Sequence, residues 1–172
     1  MTRRSSRSIG KRAAVVTVAA VVAVGTFTAG AAVAGPSWYG GKKKVTEQEI
    51  AALFDDWNAA LETGDPQKVA DLYASDAVLL PTVSNRVRTD RAGIVDYFEH
   101  FLENKPVGKK LESHINVLDG DSALDAGVYE FALTDHETGA KSVVKARYTY
   151  EYEKRGGEWR IVNHHSSKMP EG

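Results

Sequence analysis

The chain contains no cysteine, and that one absence removes several chemistries together. Disulfide frameworks, thiol nucleophiles and thiolate metal sites are excluded, so stability has to come from packing, helped by oligomerisation. A glycine-rich phosphate cradle and a dinucleotide fingerprint are also lacking, and the residues flanking Ser166 and Ser167 are wrong for a nucleophile elbow. The five histidines include no i, i+4 pair and no His-x-His, so neither a metal site nor a cofactor is expected. Beyond the N-terminus acidic side chains outnumber basic ones. The first 34 residues hold five basic and no acidic side chains, which leaves the remainder at −6 against −1 for the whole chain. Such a domain is a poor partner for nucleic acid.

What is present at the N-terminus reads as an address. Arg3, Arg4, Arg7, Lys11 and Arg12 precede a small apolar run from Ala13 to Ala34, closed by Ala32-Val33-Ala34 before Gly35. This is the pattern of a signal peptide over residues 1–34. The run is also long enough to span a bilayer, so an uncleaved anchor is the alternative, and the membrane would be met only through that segment. Both readings make the rest secreted or extracytoplasmic. Residues 35–45, with Gly40-Gly41 and Lys42-Lys43-Lys44, read as a flexible linker. Residues 46–172 are then one domain with a single core.

Thr46-Glu47-Gln48-Glu49 is a capping box. The helix it opens carries Ile50, Leu53, Phe54, Trp57 and Leu61 as one apolar stripe, and Gly64 closes it. Asp65-Pro66 starts a second helix with Val69, Leu72 and Tyr73 inward. A short strand is expected over 77–82. A third helix capped by Thr89 or Asp90 runs to about Asn104 and buries Ile94, Phe98, Phe101 and Leu102. Four strands follow, joined by hairpin turns at Asp119-Gly120, Glu137-Thr138-Gly139 and Gly156-Gly157. In the third of them, Val144, Ala146, Tyr148, Tyr150 and Tyr152 alternate with Lys145, Arg147, Thr149, Glu151 and Glu153. The fold class is α+β, a curved antiparallel sheet wrapped around three N-terminal helices.

The last strand, from Trp159, starts apolar and ends in Asn163, His164, His165, Ser166 and Ser167. Adjacent strand residues face opposite ways. If Trp159 and Ile161 face the core, Asn163, His165 and Ser167 line a pocket, and His164 turns toward a second subunit. His165 is the candidate general acid or base. Asn163, Ser167, Arg147, Tyr73, Tyr97, His114 and Tyr129 are the candidate ligand-binding residues. Structural alternatives stay open: Arg147 as the cross-strand partner of Glu130 or Glu151, and the tyrosines as core.

The element order resembles the NTF2-like (SnoaL-like) superfamily. The motifs are Trp57-Asn58-Ala59-Ala60-Leu61-Glu62-Thr63-Gly64-Asp65, the segment Leu72 to Pro81, Tyr97-Phe98-Glu99-His100-Phe101-Leu102, and Gly157 to Ser167. They resemble the bacterial branch related to the association (hub) domain of calcium/calmodulin-dependent protein kinase II, sometimes labelled SgcJ/EcaC-type oxidoreductases. The resemblance implies a cone-shaped fold and assembly as a dimer or larger ring. The positions of the hub arginines are Tyr150, Ser166 and Glu130 here, so the hub's carboxylate ligand is not carried over. Nothing resembles a kinase catalytic domain, and no kinase activity is implied.

Two functions follow. One is an oligomerising module that binds a small-molecule ligand; the other is a cofactor-free enzyme of isomerase, dehydratase or cyclase type. In the latter, His165 moves a proton while Asn163, Arg147 and a tyrosine orient a carbonyl or enolate. Binding is preferred, because one strand-end histidine is thin evidence for catalysis.

Overall fold

The structure, a computed structural model, describes residues 44–170. The expectations for the signal segment and most of the linker lie outside the described residues. Helix α1, Glu47–Glu62, begins as its capping box requires: Glu49 N–H donates to Thr46 Oγ1 at 3.2 Å and Thr46 N–H donates to Glu49 Oε2 at 3.0 Å. Its stripe buries Ile50, Phe54, Trp57 and Leu61, each at most 2% exposed. Val45, assigned to the linker by sequence, is already buried in this core.

Helix α2, Pro66–Ala70, is one turn long and capped by Asp65, whose Oδ1 accepts from Gln67 N–H at 2.9 Å. It stops before Tyr73, which opens strand β1, Tyr73–Leu80. The sequence placed Tyr73 on the helix. Long-range pairing overrides that local preference, because the Leu72 carbonyl accepts from Ile161 N–H at 2.9 Å. Helix α3, Arg91–Leu102, is capped by Asp90, and after the turn that follows it Lys105 takes a left-handed φ of 45° before Pro106.

Strands β2 (Val107–Val117), β3 (Ser122–Thr134), β4 (Lys141–Arg155) and β5 (Glu158–Lys168) form the expected antiparallel meander. Strand β1 joins it alongside β5 in parallel, giving five strands in the order β1-β5-β4-β3-β2. The helices pack on the inner face, against the alternating Tyr148, Tyr150 and Tyr152 of β4.

The register shifts in three strand pairs, β1–β5 between Tyr73 and Val78 among them, and the other two shape the sheet around the site. Between β2 and β3 the register slips at Leu111, and a Cβ on Gly127 would lie 1.9 Å from the Glu112 carbonyl oxygen. Only glycine permits that approach, and a bulge of this kind bends a sheet. The second lies in β5. Tyr152 pairs with Ile161 but Glu151 pairs with Asn163, leaving Val162 as an extra residue. The alternation changes phase there, so Ile161, His164 and Ser166 share the inner face.

Candidate functional site

The bulge at Val162 reverses the expected facing of the two histidines. His164 is 3% exposed, whereas His165 is exposed on the outer face. Asn163 and Ser167 follow His165 outward, and Arg147 stands directly across from Ser167 on β4. The four sequence candidates Arg147, Asn163, His165 and Ser167 do share a surface, but it is the outside of the sheet. His114 is exposed on β2, 2.8 Å from Glu112. Tyr73, Tyr97 and Tyr129 are the candidates that gather on the inner side.

At the centre is a hydrogen-bond chain around His164. Trp57 on α1 donates Nε1–H to the Tyr73 hydroxyl at 3.1 Å, and that hydroxyl lies 2.8 Å from His164 Nδ1. An indole N–H can only donate. The Tyr73 oxygen therefore accepts from Trp57; when its own proton goes to Nδ1, His164 carries its proton on Nε2. Nε2 faces the Tyr129 hydroxyl at 3.4 Å, and Tyr129 donates to Ser166 Oγ at 2.5 Å. Ser166 in turn hydrogen-bonds Thr82 Oγ1. The chain of hydrogen bonds runs from the core under α1 to Thr82, and in its last link either hydroxyl can donate.

Burial sets the electrostatics. Removal from water, reinforced by neighbouring His165, pushes the His164 pKa down to about 3. Burial also raises the Tyr73, Tyr129 and Tyr97 hydroxyls above their ordinary values. The network is neutral at physiological pH. With Nδ1 occupied and basicity low, His164 is no general base there.

The chain ends at the wall of a cleft between α3 and the sheet. Trp57, Phe98, Phe101 and Phe131 give it an aromatic lining, while Tyr97, Tyr129, His164, Ser166 and Thr82 supply polar groups. Its free space is about 60 Å³. Side chains fill most of the cone. A ligand of ordinary size needs more room than that, on the order of 300 Å³.

Sequence reasoning missed His164, Ser166 and Thr82 as inward groups. The one visible signal was the pair Ile161-Val162, two consecutive apolar residues where strict alternation allows one. Also missed was Asp125, fully buried on β3, where it accepts from Ser113 Oγ at 2.7 Å and the Tyr148 hydroxyl at 2.9 Å. Lys110 Nζ lies 3.4 Å from its other oxygen. No group of three or more His, Asp or Glu side chains is arranged to hold a metal among the described residues.

A family model described as the calcium/calmodulin dependent protein kinase II association domain matches residues 46–170. The chain belongs to this family. A bacterial association-domain protein from Xanthomonas campestris is 62% identical, with a TM-score of 0.73 over 74% of this chain and 91% of that one. Below 25% identity the likeness is of fold alone. A structure described as a scytalone dehydratase from Novosphingobium aromaticivorans aligns at TM-score 0.64 and 14% identity, over 72% of this chain and 83% of that one. A ketosteroid isomerase-like protein from Erwinia carotovora aligns at 0.59 and 17%, over 71% and 95%. Comparison with curated proteins finds no match. This association domain thus has the NTF2-like cone, with a chain of hydroxyl groups around His164 on its inner face.

Proposed function

We propose that the chain is an exported, self-associating domain that binds a small, largely apolar molecule in the cleft between α3 and the sheet. The observation that carries this reading is the hydrogen-bond chain from Trp57 through Tyr73, His164 and Tyr129 to Ser166. Buried polar networks are costly unless satisfied. This one brings hydroxyls to an aromatic slot, and ligand pockets combine an apolar lining with a small number of orienting polar groups. The dehydratase and isomerase-like neighbours support use of the cone for small molecules. Binding is preferred to proton-transfer catalysis because the inward histidine is held neutral and the other is on the outside. Export rests on the N-terminal pattern of residues 1–34.

Self-association is assigned to the outer sheet face. There Arg147 pairs across with Ser167, Thr149 with His165 and Glu151 with Asn163, a row of both charge signs suited to a two-fold partner.

Native mass spectrometry of the full chain recovered from its own host tests the binding reading, alongside titration with indole as a neutral aromatic probe. The expected result is a retained small mass or indole binding that Ala146→Phe abolishes, since Ala146 lines the cleft. An empty protein that also ignores indole overturns it.

A further inference from the structure

Strand β1 ends at Leu80, and the chain comes back to it at Arg88, where Leu79 and Arg88 exchange both backbone hydrogen bonds, at 2.8 and 2.9 Å. That pair closes the base of a loop. Pro81 is buried at one end of it. At the other end Arg88 is 9% exposed and its Nη2 pairs with Asp96 at 3.0 Å, which pins the returning chain to α3. The base is therefore held twice, to β1 and to α3.

Residues 82–87 are held by little. Val83, Asn85, Arg86 and Val87 are exposed, the two valines at 63% and 48%. Arg86 N–H donates to Ser84 Oγ at 3.2 Å, a bond inside the loop. Among the described residues, the one hydrogen bond from this segment to the rest of the domain joins Thr82 Oγ1 to Ser166 Oγ. Ser166 is also where the hydroxyl chain arrives from Tyr129.

Thr82 and Val83 are walls of the aromatic cleft, whose free space of about 60 Å³ is too small for a ligand of ordinary size. Val83, Tyr97 and Phe101 also line a neighbouring hollow of about 390 Å³. Displacing Val83 joins the two spaces, and the joined volume falls in the usual ligand range of about 300–1,000 Å³.

We propose that residues 82–87 are a flap, hinged at the Leu79–Arg88 pair and latched by Thr82 on Ser166, that opens to admit the ligand. This rests on the reading that the cleft binds a small molecule. Opening breaks one neutral hydrogen bond and leaves the hinge bonds whole. It also releases Ser166, which still accepts from Tyr129 and is then free to bond the ligand. Latch and ligand compete for one hydroxyl, so the flap is shut while the cleft is empty.

The chain has no cysteine, so a thiol placed in the cleft reports the opening. Ala146 lines the cleft and is 2% exposed. In the full chain, Ala146→Cys should react with iodoacetamide about 10- to 1,000-fold more slowly than after unfolding in urea, as a minor open state of about 0.1–10% dictates. Thr82→Val removes the latch at nearly constant shape and should speed that labelling about three- to tenfold, the worth of one hydrogen bond. Ser166→Ala breaks the latch from the other side and should act likewise. Ala123→Cys, fully buried on β3 and outside the cleft lining, is the control and should keep its rate in Thr82→Val. No acceleration at position 146, or equal acceleration at both positions, overturns the flap. Saturating indole should slow labelling at position 146. If Thr82→Val accelerates it but indole gives no protection, the flap stands as a mobile wall and the binding reading falls. If indole protects and Thr82→Val changes nothing, the flap alone falls.

Discussion

Two buried polar clusters sit on the same inner sheet face and are built on opposite principles. Around Asp125 the groups form an ion pair with Lys110 at its centre and spend their bonds on one another: Ser113 and Tyr148 donate to one oxygen and Lys110 approaches the other. Lys110 also donates to the Ala51 carbonyl at 2.9 Å and lies 5.1 Å from the Phe54 ring centre, tying α1 to β2. Around His164 the groups are neutral and pass hydrogen bonds from one to the next, toward a cleft. A buried charge demands closure by partners. A neutral hydroxyl chain tolerates an open end. The first cluster therefore holds the fold, and in the proposed function the second addresses the ligand.

The sharpest way to break that contrast is Asp125→Ala, which strands Lys110 and two hydroxyls. Urea denaturation should show a loss of about 3–5 kcal/mol, the usual result of removing one partner of a buried ion pair. Binding of indole by the folded fraction should be unchanged. A loss below about 1 kcal/mol would place Asp125 among exposed pairs instead.

The His164 cluster should answer to pH. Its folded pKa of about 3 lies below the ordinary histidine value of 6.5, so the unfolded chain binds the proton first as pH falls. The stability that neutral burial supports is complete above pH 6.5 and is lost progressively down to about pH 3. Between pH 7 and pH 5 that amounts to about 2 kcal/mol. His164→Gln should remove this component of the urea midpoint's pH dependence; identical profiles would disprove it.

Trp57→Phe removes the first donor while keeping an aromatic ring, and should cost about 1–2 kcal/mol with weaker indole binding. The smallest effect on folding is expected at the outer face. Arg147→Glu should change stability by no more than about 0.5 kcal/mol. In sedimentation velocity it should nevertheless shift the oligomer toward monomer. An unchanged assembly would remove the outer row from the interface.

Residues that speak through local rules were legible. The capping box at Thr46 and Glu49, the apolar stripe from Ile50 to Leu61 and the five-residue alternation from Val144 to Tyr152 depend on neighbours a few positions away. So does the order of helices and strands, and with it the α+β cone. Tyr73 was misread because its strand forms by pairing with β5, where its partner Ile161 lies 88 residues downstream. His165 was misread because period 2 propagates an error: one extra residue at Val162 turns every later side chain over.

The sequence by itself determined the class of fold, the absence of thiol chemistry and the supply of aromatic and hydroxyl side chains for an interior. Tertiary structure alone decided which histidine enters, that Asp125 is sealed, and that Thr82 meets Ser166. Periodicity and capping are local properties of a chain. Burial, bulge position and hydrogen-bond partners are set by segments that meet only after folding.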